Sequence, residues 1–483
     1  MSNPLILGTN SIKDTGYDVA NSLRFDDATS DYLSFAPSSA SNRKTFTISF
    51  WTKRANLGQS GLFGGWDSAY QSGFASMIYF NSSDQLEFDH DIAGSDYTFN
   101  TDMVFRDTSA WYHIVIAIDT TQATETNRQK IYVNGSQVSL TETSLGFPTQ
   151  NFDTYFNKDL TVIGSYAFEG GAGAVDEYSG YMAEVVNIDG LQLDPTSFGE
   201  FDEDTGIWKP IDVSGLTFGT NGFYLPFENS GALGQDDSGN GNNFTVNNLT
   251  AIDQSTDTCT NNFATWNPLE NYYQSNTYSE GNLQVQTQNT SFTYNFATIG
   301  VSTGKWYWEV EYDAKSGGTD QPFVGITSTQ PTSNDHELGN FPNDFAWYTD
   351  NGTGYLSNNN TYSNVGFNAY TVGDVISVAL DLDNNKLYFA KNGTWEKSGN
   401  PESGSTGTGA ISITATASTP LGAYFPSVAD GTTSYNATFK TNFGSPPYTI
   451  SSGNTDGNGY GNFEYAVPNG YFSLNSKNLA EYG

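Results

Sequence analysis

Short runs of β-branched and aromatic residues, separated by turn residues, are the feature of this chain that most constrains its fold. Residues 111–119 read WYHIVIAID, a run that is typical of a strand and too short for a core helix. Residues 131–135 (IYVNG) and 387–393 (LYFAKNG) each place such a run directly before Asn-Gly, a dipeptide typical of tight turns. Helical stretches with caps and a 3.6-residue period are scarce. The sequence therefore predicts an all-β fold made of two antiparallel β-sandwiches.

The charge balance excludes several classes of partner. With 18 Lys and Arg against 53 Asp and Glu, the chain of 483 residues has a formal net charge of −35. Such a chain cannot neutralise a phosphate backbone, so we expect no nucleic acid partner and no attraction to an anionic membrane. No apolar run approaches the ~18 residues of a membrane-spanning helix, so we expect no membrane insertion. Aromatic residues make up 15% of the chain, which argues against disorder.

The N-terminus and the single cysteine indicate where the chain is made. Residues 1–7 (MSNPLIL) have neither a basic flank nor a sustained apolar core, so no signal peptide is predicted. Cys259 is the one cysteine, so an internal disulfide cannot form. Both features favour synthesis in a reducing cytoplasm.

Charge and composition also predict how the chain is divided. No basic residue occurs between Lys209 and Lys305, where Asn, Gln, Thr and Ser are abundant, so we place a polar connector in this region. No short repeat period appears, which argues against a solenoid or a propeller. The predicted segments are an N-terminal arm (1–20), a first sandwich (21–200), the connector (201–279), a second sandwich (280–445) and a C-terminal tail (446–483).

Six motifs in order give residues 21–200 a resemblance to a known family. The motifs are 23–25 (LRF), 46–51 (FTISFW), 111–116 (WYHIVI), 131–135 (IYVNG), 163–164 (IG) and 178–185 (YSGYMAEV). Trp51 and Trp111 can anchor two facing sheets, and Asn134-Gly135 supplies a turn between strands. Together the motifs resemble the laminin-G-like branch of the concanavalin A-like lectin and glucanase sandwiches.

A second series of motifs follows between residues 300 and 445. It comprises 304–310 (GKWYWEV), 323–326 (FVGI), 346–348 (AWY), 373–376 (GDVI), 381–383 (DLD), 387–389 (LYF), 392–393 (NG), 424–426 (YFP) and 442–444 (NFG). This series resembles an SPRY domain. The resemblance implies a binding module whose partners sit on loops and which has no catalytic chemistry of its own.

The order of the two domains extends the resemblance to nearly the whole chain. Residues 221–225 (NGFYL) and 237–244 (DSGNGNNF) lie between the domains, and 468–475 (PNGYFSLN) follows them. This order resembles virion structural proteins of marine tailed bacteriophages. It implies a virion component on the exterior, at the tail or capsid surface, that is made in the host cytoplasm. We expect the arm to anchor the chain to a virion partner.

The same resemblance implies a function and partners. The chain would be a non-enzymatic tail fibre, knob or surface appendage that presents its two domains to a host-surface glycan or protein receptor. Its other partners would be virion proteins, and we expect a homo-oligomer. A capsid or tail decoration protein, which only packs against other virion subunits, is the alternative. A glycan hydrolase is the third hypothesis.

Residues 87–91 (EFDHD) form the one catalytic-looking string. Glucanases that share the sandwich fold carry Glu-x-Asp-x-(x)-Glu on a strand, with both glutamates catalytic, but here the last position is Asp91. A regular strand places residues i and i+4 about 13 Å apart, whereas the carboxyl groups of a retaining pair are only ~5.5 Å apart. The alternation of Leu86, Phe88 and His90 with the acids is that of an ordinary half-buried strand. We therefore predict no enzymatic activity.

Two patterns bear on metal binding. Asp236, Ser238 and Asn240 match the first half of an EF-hand loop, but the twelfth position is Asn247 rather than Glu. The same stretch is equally suited to a tight turn, so both interpretations stay open. The three histidines, His90, His113 and His336, have no companion at metal or triad spacing. We expect no required cofactor, with calcium as the one candidate metal.

Aromatic residues in stretches rich in Gly, Asn and Ser are the candidate ligand contacts. An exposed ring flanked by Asn and Asp can stack on the apolar face of a sugar, while the amides bond its hydroxyls. Uncharged donors also suit a neutral ligand, because the net charge repels polyanions. The alternative is that these rings only cover the sandwich edges. The candidate binding residues are Trp66 and Tyr70 in the first sandwich, and Asp350, Asn351, Tyr355, Asn358, Tyr362 and Trp395 in the second.

Overall fold

The computed structural model describes residues 12, 14–67, 74–92, 95–168, 174–270, 274–318, 321–333 and 335–483. The described residues divide into an N-terminal unit, 14–260, and a C-terminal unit, 261–483, to which residue 12 also belongs. Two large β-sheets enclose a hydrophobic core in each unit, which confirms the predicted all-β class and the two sandwiches. Tyr70 and most of the predicted arm lie outside the described residues.

Twenty strands build the N-terminal unit in the part of it that the structure describes. They are β1 (Ser22–Phe25), β2 (Tyr32–Phe35), β3 (Thr45–Arg54), β4 (Ser60–Trp66), β5 (Phe74–Phe80), β6 (Gln85–Ile92), β7 (Ser95–Val104), β8 (Tyr112–Asp119), β9 (Gln129–Val133), β10 (Ser136–Gln137), β11 (Leu140–Glu142), β12 (Leu160–Ile163), β13 (Ala167–Phe168), β14 (Ala174–Val175), β15 (Gly180–Asp189), β16 (Gly199–Phe201), β17 (Trp208–Pro210), β18 (Phe223–Leu225), β19 (Thr245–Asn247) and β20 (Gln254–Ser255).

The strands of the N-terminal unit form two large antiparallel sheets. Sheet A has the order β10-β9-β8-β3-β15-β1-β20, with β18 paired to β15. Sheet B has the order β11-β7-β6-β5-β4-β12-β2-β19. Two short hairpins, β13–β14 and β16–β17, lie outside these sheets.

Alternating side chains seal the core between sheets A and B. Ile48 and Phe50 of β3 and Ile116 of β8 point into it, and the ring of Phe50 lies 4.9 Å from that of Phe63 on β4. The opposite face of sheet A is also covered, because Val115 belongs to a second apolar cluster on that side. Strands buried on both faces have no polar alternation, which explains the continuous apolar run in β8.

Fifteen strands and one α-helix build the described part of the C-terminal unit. They are β21 (Thr277–Ser279), β22 (Gln284–Gln286), β23 (Asn295–Phe296), β24 (Lys305–Lys315), β25 (Pro322–Thr327), β26 (Phe345–Asp350), β27 (Thr353–Asn358), β28 (Thr361–Ser363), β29 (Val375–Asp381), β30 (Lys386–Lys391), β31 (Thr394–Trp395), β32 (Ile411–Ser412), β33 (Phe425–Asp430), β34 (Ala437–Asn442), β35 (Phe472–Ser473) and α1 (Ser476–Tyr482).

The C-terminal unit is likewise a pair of sheets. Sheet C has the order β21-β22-β34-β24-β29-β30-β31, with β32 paired to β30 and β35 paired in parallel to β24. Sheet D has the order β23-β33-β25-β26-β27-β28. Large aromatic side chains fill the core between them. The ring of Trp347 on β26 lies 5.1 Å from that of Tyr370 and 5.9 Å from that of Phe389 on β30.

The stretch predicted as a connector is divided between the two units. Its first part contributes β17 to β20 to the N-terminal unit, where β18, β19 and β20 pair with sheet strands. Its second part places Ala264 and Trp266 in the core of the C-terminal unit. Asparagine amides compensate for the polarity of this stretch, because Asn221 and Asn242 donate to backbone carbonyl groups that lie outside sheet ladders.

The ends of the chain also pack on the sandwiches. In the described part of the arm, Val19 is buried and its N–H donates to Thr260 Oγ1 at 3.1 Å. In the predicted tail, Tyr471 and Leu474 are fully buried, and α1 begins where Asn475 Oδ1 accepts from the N–H of Asn478 at 2.9 Å.

Helical structure is short throughout the described residues. The 3₁₀ turns span Glu125–Asn127, Pro195–Ser197, Ala251–Asp253, Pro268–Glu270, Glu396–Ser398, Pro401–Thr406 and Thr416–Ser418. Within the described ranges, no helix has the length and apolar character needed to cross a bilayer.

Candidate functional site

Four aromatic side chains lie side by side on the outer face of sheet D, opposite the face that carries Trp347. Phe323 of β25 pairs with Tyr348 of β26, and Tyr348 pairs with Tyr355 of β27. Tyr362 of β28 is paired with Ser357, which lies two positions after Tyr355 on β27. Because residues that face each other across paired strands project to the same side, the four rings share one face. We call Phe323, Tyr348, Tyr355 and Tyr362 the tyrosine face.

The rings of the tyrosine face pack on one another. The centroids of Phe323 and Tyr348 are 4.4 Å apart, with planes inclined by 17°, and Tyr362 lies 4.8 Å from Tyr348 at 33°. Tyr355 lies 6.0 Å from Tyr348. Phe323 is fully buried and Tyr348 is 4% exposed, whereas Tyr362 is 46% exposed. Buried rings therefore support an exposed one, so a ligand would find it already ordered.

A buried carboxyl group holds the hydroxyl of Tyr362. Tyr362 Oη donates to Glu337 Oε1. Glu337 is only 8% exposed, and its burial, together with the negative charge of Asp430, raises its pKa to about 7. A Cβ atom at Gly431 would lie 2.4 Å from Glu337 Oε2, so a glycine there makes room for this carboxyl group. Glu337 thereby fixes the orientation of the exposed ring.

The segment between β25 and β26 covers the other half of this outer face. Leu338 is fully buried against it, and Phe341 packs beside Leu338. Asp344 holds the segment, because its Oδ1 accepts from Thr327 Oγ1 at 2.8 Å and its Oδ2 accepts from the N–H groups of Gly339 and Phe341 at 3.2 and 3.1 Å. Burial raises the pKa of Asp344 to about 6. The covering segment therefore leaves the half that carries Tyr362 accessible.

The structure separates the predicted loop residues of this region. Asp350 ends β26 on the tyrosine face, two residues after Tyr348. Asn351 lies in the following turn with φ +47°, and its amide donates to Asp350 Oδ1 at 2.9 Å. The amide of Asn358 donates to two backbone carbonyl groups near the end of the covering segment, at 3.0 and 2.7 Å. Asp350 therefore borders the tyrosine face, whereas Asn358 fixes the segment beside it.

The predicted tryptophans lie elsewhere. Trp395 is half-buried on sheet C, where its ring meets Tyr388 edge-on at 6.4 Å. Trp66 belongs to the N-terminal unit, is 8% exposed, and donates from Nε1 to the carbonyl oxygen of Tyr166 at 3.2 Å. Tyr70 lies outside the described residues. The two described tryptophans therefore do not belong to the tyrosine face.

The acidic string of β6 has the predicted alternation. Leu86, Phe88 and His90 are buried, whereas Glu87, Asp89 and Asp91 are half-buried on the outer face of sheet B. Asn81 Nδ2 donates to Glu87 Oε2 at 2.9 Å, and Thr98 Oγ1 donates to Asp89 Oδ1 at 2.9 Å. Burial and the neighbouring carboxylates raise the pKa of Asp89 to about 6. The pairing of β6 with β5 has no register shift, so positions 87 and 91 keep the spacing of a regular strand, about 13 Å.

The residues of the predicted calcium loop form a hydrogen-bonded turn. Asp236 Oδ1 accepts from the N–H groups of Tyr224 and Ser238, and its Oδ2 accepts from Ser238 Oγ and the N–H of Asn242, all at 2.8 to 2.9 Å. Asn240 turns its amide nitrogen toward the carbonyl group of Gly222, at 2.9 Å. Among the described residues, no three His, Cys, Asp or Glu side chains are grouped so that they could hold a metal ion.

Two of the three histidines are buried in the N-terminal unit. Trp208 Nε1 donates to His113 Nδ1 at 2.9 Å, so the neutral ring carries its proton on Nε2, 2.9 Å from Ser49 Oγ. His90 Nδ1 lies 2.7 Å from Ser76 Oγ. Burial lowers the pKa of both histidines to about 3. Both are therefore neutral core residues at physiological pH.

Phe323 and Tyr348 of the tyrosine face, and Glu337 beside it, were not predicted as ligand contacts. The sequence alternates Ala346, Trp347 and Tyr348, so a strict two-residue period places Tyr348 opposite the core tryptophan. This alternation could have assigned Tyr348 to the outer face of sheet D. Phe323 faces Tyr348 where β25 pairs with β26, so it lies on the same outer face. Glu337 carries no such signal, because it meets Tyr362 from a loop 25 residues earlier in the chain.

Chemically, the tyrosine face combines an apolar surface with hydrogen-bond acceptors. The exposed face of Tyr362 can stack on the apolar side of a ring. Glu337 bonds the hydroxyl of Tyr362, and Asp350 lies two residues after Tyr348 at the border of the tyrosine face. Carboxyl oxygens can accept hydrogen bonds from hydroxyl groups. This combination suits a polyhydroxylated ligand better than a purely apolar one.

Comparisons with known proteins identify both domains. Residues 27–187 match the family model Laminin_G_3, described as the concanavalin A-like lectin/glucanases superfamily. Residues 305–446 match the family model of the SPRY domain. No curated protein matches the chain. Both kinds of domain are typical of binding and recognition, and no enzyme family is indicated.

Many solved structures resemble parts of the chain, among them an SPRY domain and a pentraxin. The SPRY domain of human HERC1 is 18% identical, with a TM-score of 0.25, over 33% of this chain and 86% of that one. A native heptameric SAP-like pentraxin from Limulus polyphemus is 18% identical, with a TM-score of 0.28, over 37% of this chain and 79% of that one. From the two family models, we conclude that the chain contains a laminin-G-type concanavalin A-like domain followed by an SPRY domain.

Proposed function

We propose that this protein is a non-enzymatic recognition protein that binds a neutral surface glycan through the tyrosine face of its SPRY domain. The observation that carries the proposal is the exposure of Tyr362, at 46%, on top of the buried ring of Tyr348. A large ring that stays exposed although it is held by stacking and by Glu337 is available to a partner.

The electrostatics favour a neutral ligand. The chain has a formal net charge of −35, and the tyrosine face is bordered by Asp350 and Glu337. A polyanionic glycan would be repelled by the overall field and by Asp350. Hydroxyl groups, in contrast, can donate to the carboxyl oxygens. Binding is therefore expected to change little with salt concentration.

The proposal is tested by screening the full chain against an array of neutral and acidic glycans, with two alanine variants. Tyr362→Ala should weaken binding to neutral glycans about tenfold, which corresponds to ~1.4 kcal/mol. It should lower the melting temperature by only about 2–4 °C per kcal/mol of lost stability, so the protein stays folded in the assay. The matched control is Tyr460→Ala, because Tyr460 is also partly exposed but its ring faces Lys477 in the C-terminal segment. Equal binding by wild type and Tyr362→Ala would refute the proposal.

We further propose that the protein is displayed on the exterior of a virion, on the tail or the capsid surface, and recognises the host. The support is the resemblance of the domain order to virion structural proteins of tailed bacteriophages. Mass spectrometry and imaging of purified particles would locate the protein. If the tyrosine face is instead found buried between virion subunits, the result would favour the alternative, a decoration protein that only packs against its neighbours.

A further inference from the structure

Three Asn-Gly turns of this chain have the same backbone conformation. Seven Asn-Gly pairs occur in the sequence. Asn134, Asn351 and Asn392 lie in the turns that connect β9 to β10, β26 to β27 and β30 to β31, and their φ angles are +46°, +47° and +46°. The glycines that follow them have φ of +78°, +76° and +75°. Differences in reactivity between these three pairs would therefore come from their surroundings and not from the turn itself.

An Asn-Gly pair can lose ammonia by deamidation. The backbone nitrogen of the glycine attacks Cγ of the asparagine, because no Cβ atom on the glycine hinders the approach. A bond forms between this nitrogen and Cγ, the Cγ–Nδ2 bond breaks, and ammonia leaves with the proton of the attacking N–H. Water then opens the cyclic imide at either carbonyl carbon, which gives aspartate or isoaspartate. Because the asparagine side chain must rotate toward the glycine nitrogen, hydrogen bonds that hold the side chain slow the reaction.

The turn at Asn134 is protected. Asn134 Oδ1 accepts from the N–H of His113 at 2.8 Å. The ring of Trp208 covers Gly135, because a Cβ atom at Gly135 would lie 2.4 Å from this ring. Rotation of the asparagine side chain would break the hydrogen bond, and the tryptophan ring limits movement of the turn.

The turn at Asn392 is protected in the same way. Asn392 Oδ1 accepts from the N–H of Val375 at 2.9 Å, and its amide nitrogen donates to Asp374 Oδ1 at 2.7 Å. A Cβ atom at Gly393 would lie 2.6 Å from the ring of Tyr465, so this ring covers the glycine. Each hydrogen bond that must open before the attack slows the reaction about fivefold.

The turn at Asn351 lacks both kinds of protection. Its amide nitrogen donates to Asp350 Oδ1 at 2.9 Å, but Asp350 is the preceding residue, so this bond does not tie the turn to another part of the structure. Among the described residues, no N–H group donates to Asn351 Oδ1. A Cβ atom at Gly352 would meet nothing within 4 Å, and both residues of the turn are exposed. The side-chain amides of the remaining four Asn-Gly pairs donate to groups elsewhere in the chain, and these residues are Asn221, Asn240, Asn458 and Asn469.

From this comparison, we propose that Asn351 is the site at which the folded protein deamidates. The product places a second carboxyl group beside Asp350, and isoaspartate adds one backbone atom to a two-residue turn. Because the turn sets the register of a hairpin, the insertion displaces Asp350 from its position opposite Thr353. Asp350 borders the tyrosine face, so we expect the modified protein to bind its glycan more weakly. That consequence rests on the proposed function, whereas the modification itself does not.

Peptide mapping of the full chain after storage in mildly alkaline buffer measures the modification. The digestion is carried out at mildly acidic pH, where deamidation is slow, and aspartate and isoaspartate are quantified at each Asn-Gly pair. Conversion at Asn351 should be at least about fivefold faster than at Asn134 and Asn392, because one or two hydrogen bonds must open at those turns. The same map recorded in urea is the control. Without the fold, the three pairs should be converted at similar rates.

The peptide maps decide the proposal in either direction. Conversion that is fastest at Asn351 in the folded protein, with similar rates in urea, would support it. Equal rates at the three turns of the folded protein, or earlier conversion of any other Asn-Gly pair, would overturn it. A faster conversion of Asn351 that persists in urea would show that neighbouring residues select the site rather than the fold, and would overturn it as well.

Glycan binding by fresh and stored protein tests the consequence for recognition. Stored wild type should bind a neutral glycan about fivefold more weakly, as expected for the loss of one hydrogen bond from Asp350. Asn351→Gln is the control, because glutamine forms the corresponding imide far more slowly, and its binding should not change on storage. Unchanged binding by fully converted wild type would refute the effect on recognition and leave the proposed function standing. If fresh protein binds no glycan, the proposed function fails with this consequence, and the peptide maps still decide the modification.

Discussion

Each unit carries a tyrosine that donates a hydrogen bond to a glutamate on the outer face of a sheet. In the N-terminal unit, Tyr79 donates to Glu87, and both residues lie on sheet B. In the C-terminal unit, Tyr362 of sheet D donates to Glu337, which lies in the segment between β25 and β26. The two pairs differ in exposure. Tyr79 is half-buried and its ring is stacked on Tyr166 at 4.5 Å, whereas Tyr362 is 46% exposed. The same local chemistry therefore supports a covering loop in one unit and presents a ring to solvent in the other.

The difference arises from the segments that pass over each sheet. On sheet B, Tyr166 lies over Tyr79 and is itself held in place, because it donates to Asp176 Oδ2 at 2.6 Å and accepts from Gln59 Nε2 at 2.5 Å. On sheet D, the covering segment is fixed over one half of the face by Asp344. A tyrosine–carboxylate pair thus indicates a binding surface only where no loop closes over the ring.

Truncation of the supporting ring should have the largest effect. Tyr348→Ala removes a 4% exposed side chain that is stacked on Phe323, so we expect it to destabilise the C-terminal unit by about 3–5 kcal/mol. Tyr79→Ala should cost less, because Tyr79 is only half-buried. Calorimetric melting measures both. If Tyr348→Ala melts like wild type, the ring is not the support of the tyrosine face.

The stability of the C-terminal unit should depend on pH through Glu337. Its pKa of about 7 in the folded protein lies above the 4.5 of a free glutamate side chain. Between these two pH values the folded state therefore retains a proton that the unfolded state has lost. Stability should therefore fall by about 3 kcal/mol as the pH rises through this window.

Glu337→Gln provides the comparison for this pH dependence. The variant cannot titrate, so its stability should change less than that of wild type between about pH 5 and about pH 8. Other buried carboxyl groups, such as Glu184 with its pKa raised to about 7, contribute equally to both proteins. Parallel curves for wild type and Glu337→Gln, measured by denaturant unfolding, would contradict the assignment.

Removal of a single hydroxyl from each pair compares the two faces directly. Tyr79→Phe and Tyr362→Phe should each lower stability by about 1 kcal/mol or less, with the larger loss for the more buried Tyr79. Only Tyr362→Phe should alter glycan binding, because it frees the ring from Glu337. A change in binding for Tyr79→Phe alone would reverse the comparison.

The smallest effect is expected for the acidic string of β6. Glu87→Gln should change no activity, because we propose that the protein does not cleave glycans. Incubation of wild type with β-glucans and host polysaccharides checks this expectation. Cleavage by wild type that is lost in Glu87→Gln would show that the protein is an enzyme.

Much of the fold could be predicted because its signals are local. The Asn-Gly turns are confirmed: Asn134 and Asn392 have φ of +46°, and the following glycines also have positive φ, as the predicted turns require. The alternation of β6 and the apolar run of β8 follow from which faces are buried. These features depend only on neighbouring residues.

The remaining features depend on contacts that are distant in sequence. The polar composition of the stretch after residue 201 gave no sign that β18 pairs with β15, because asparagine amides there bond backbone groups instead of solvent. Glu337 could not be linked to Tyr362, since a loop residue and an edge-strand residue share no periodicity. The exposure of Tyr362 depends on where the covering segment ends.

The most direct test of the account is a crystal structure of the full chain with a neutral oligosaccharide selected from the array. We expect a sugar ring stacked on Tyr362, with a hydroxyl group bonded to Asp350 or Glu337. A sugar bound instead beside Tyr79 and Glu87 on sheet B, with the tyrosine face empty, would contradict it.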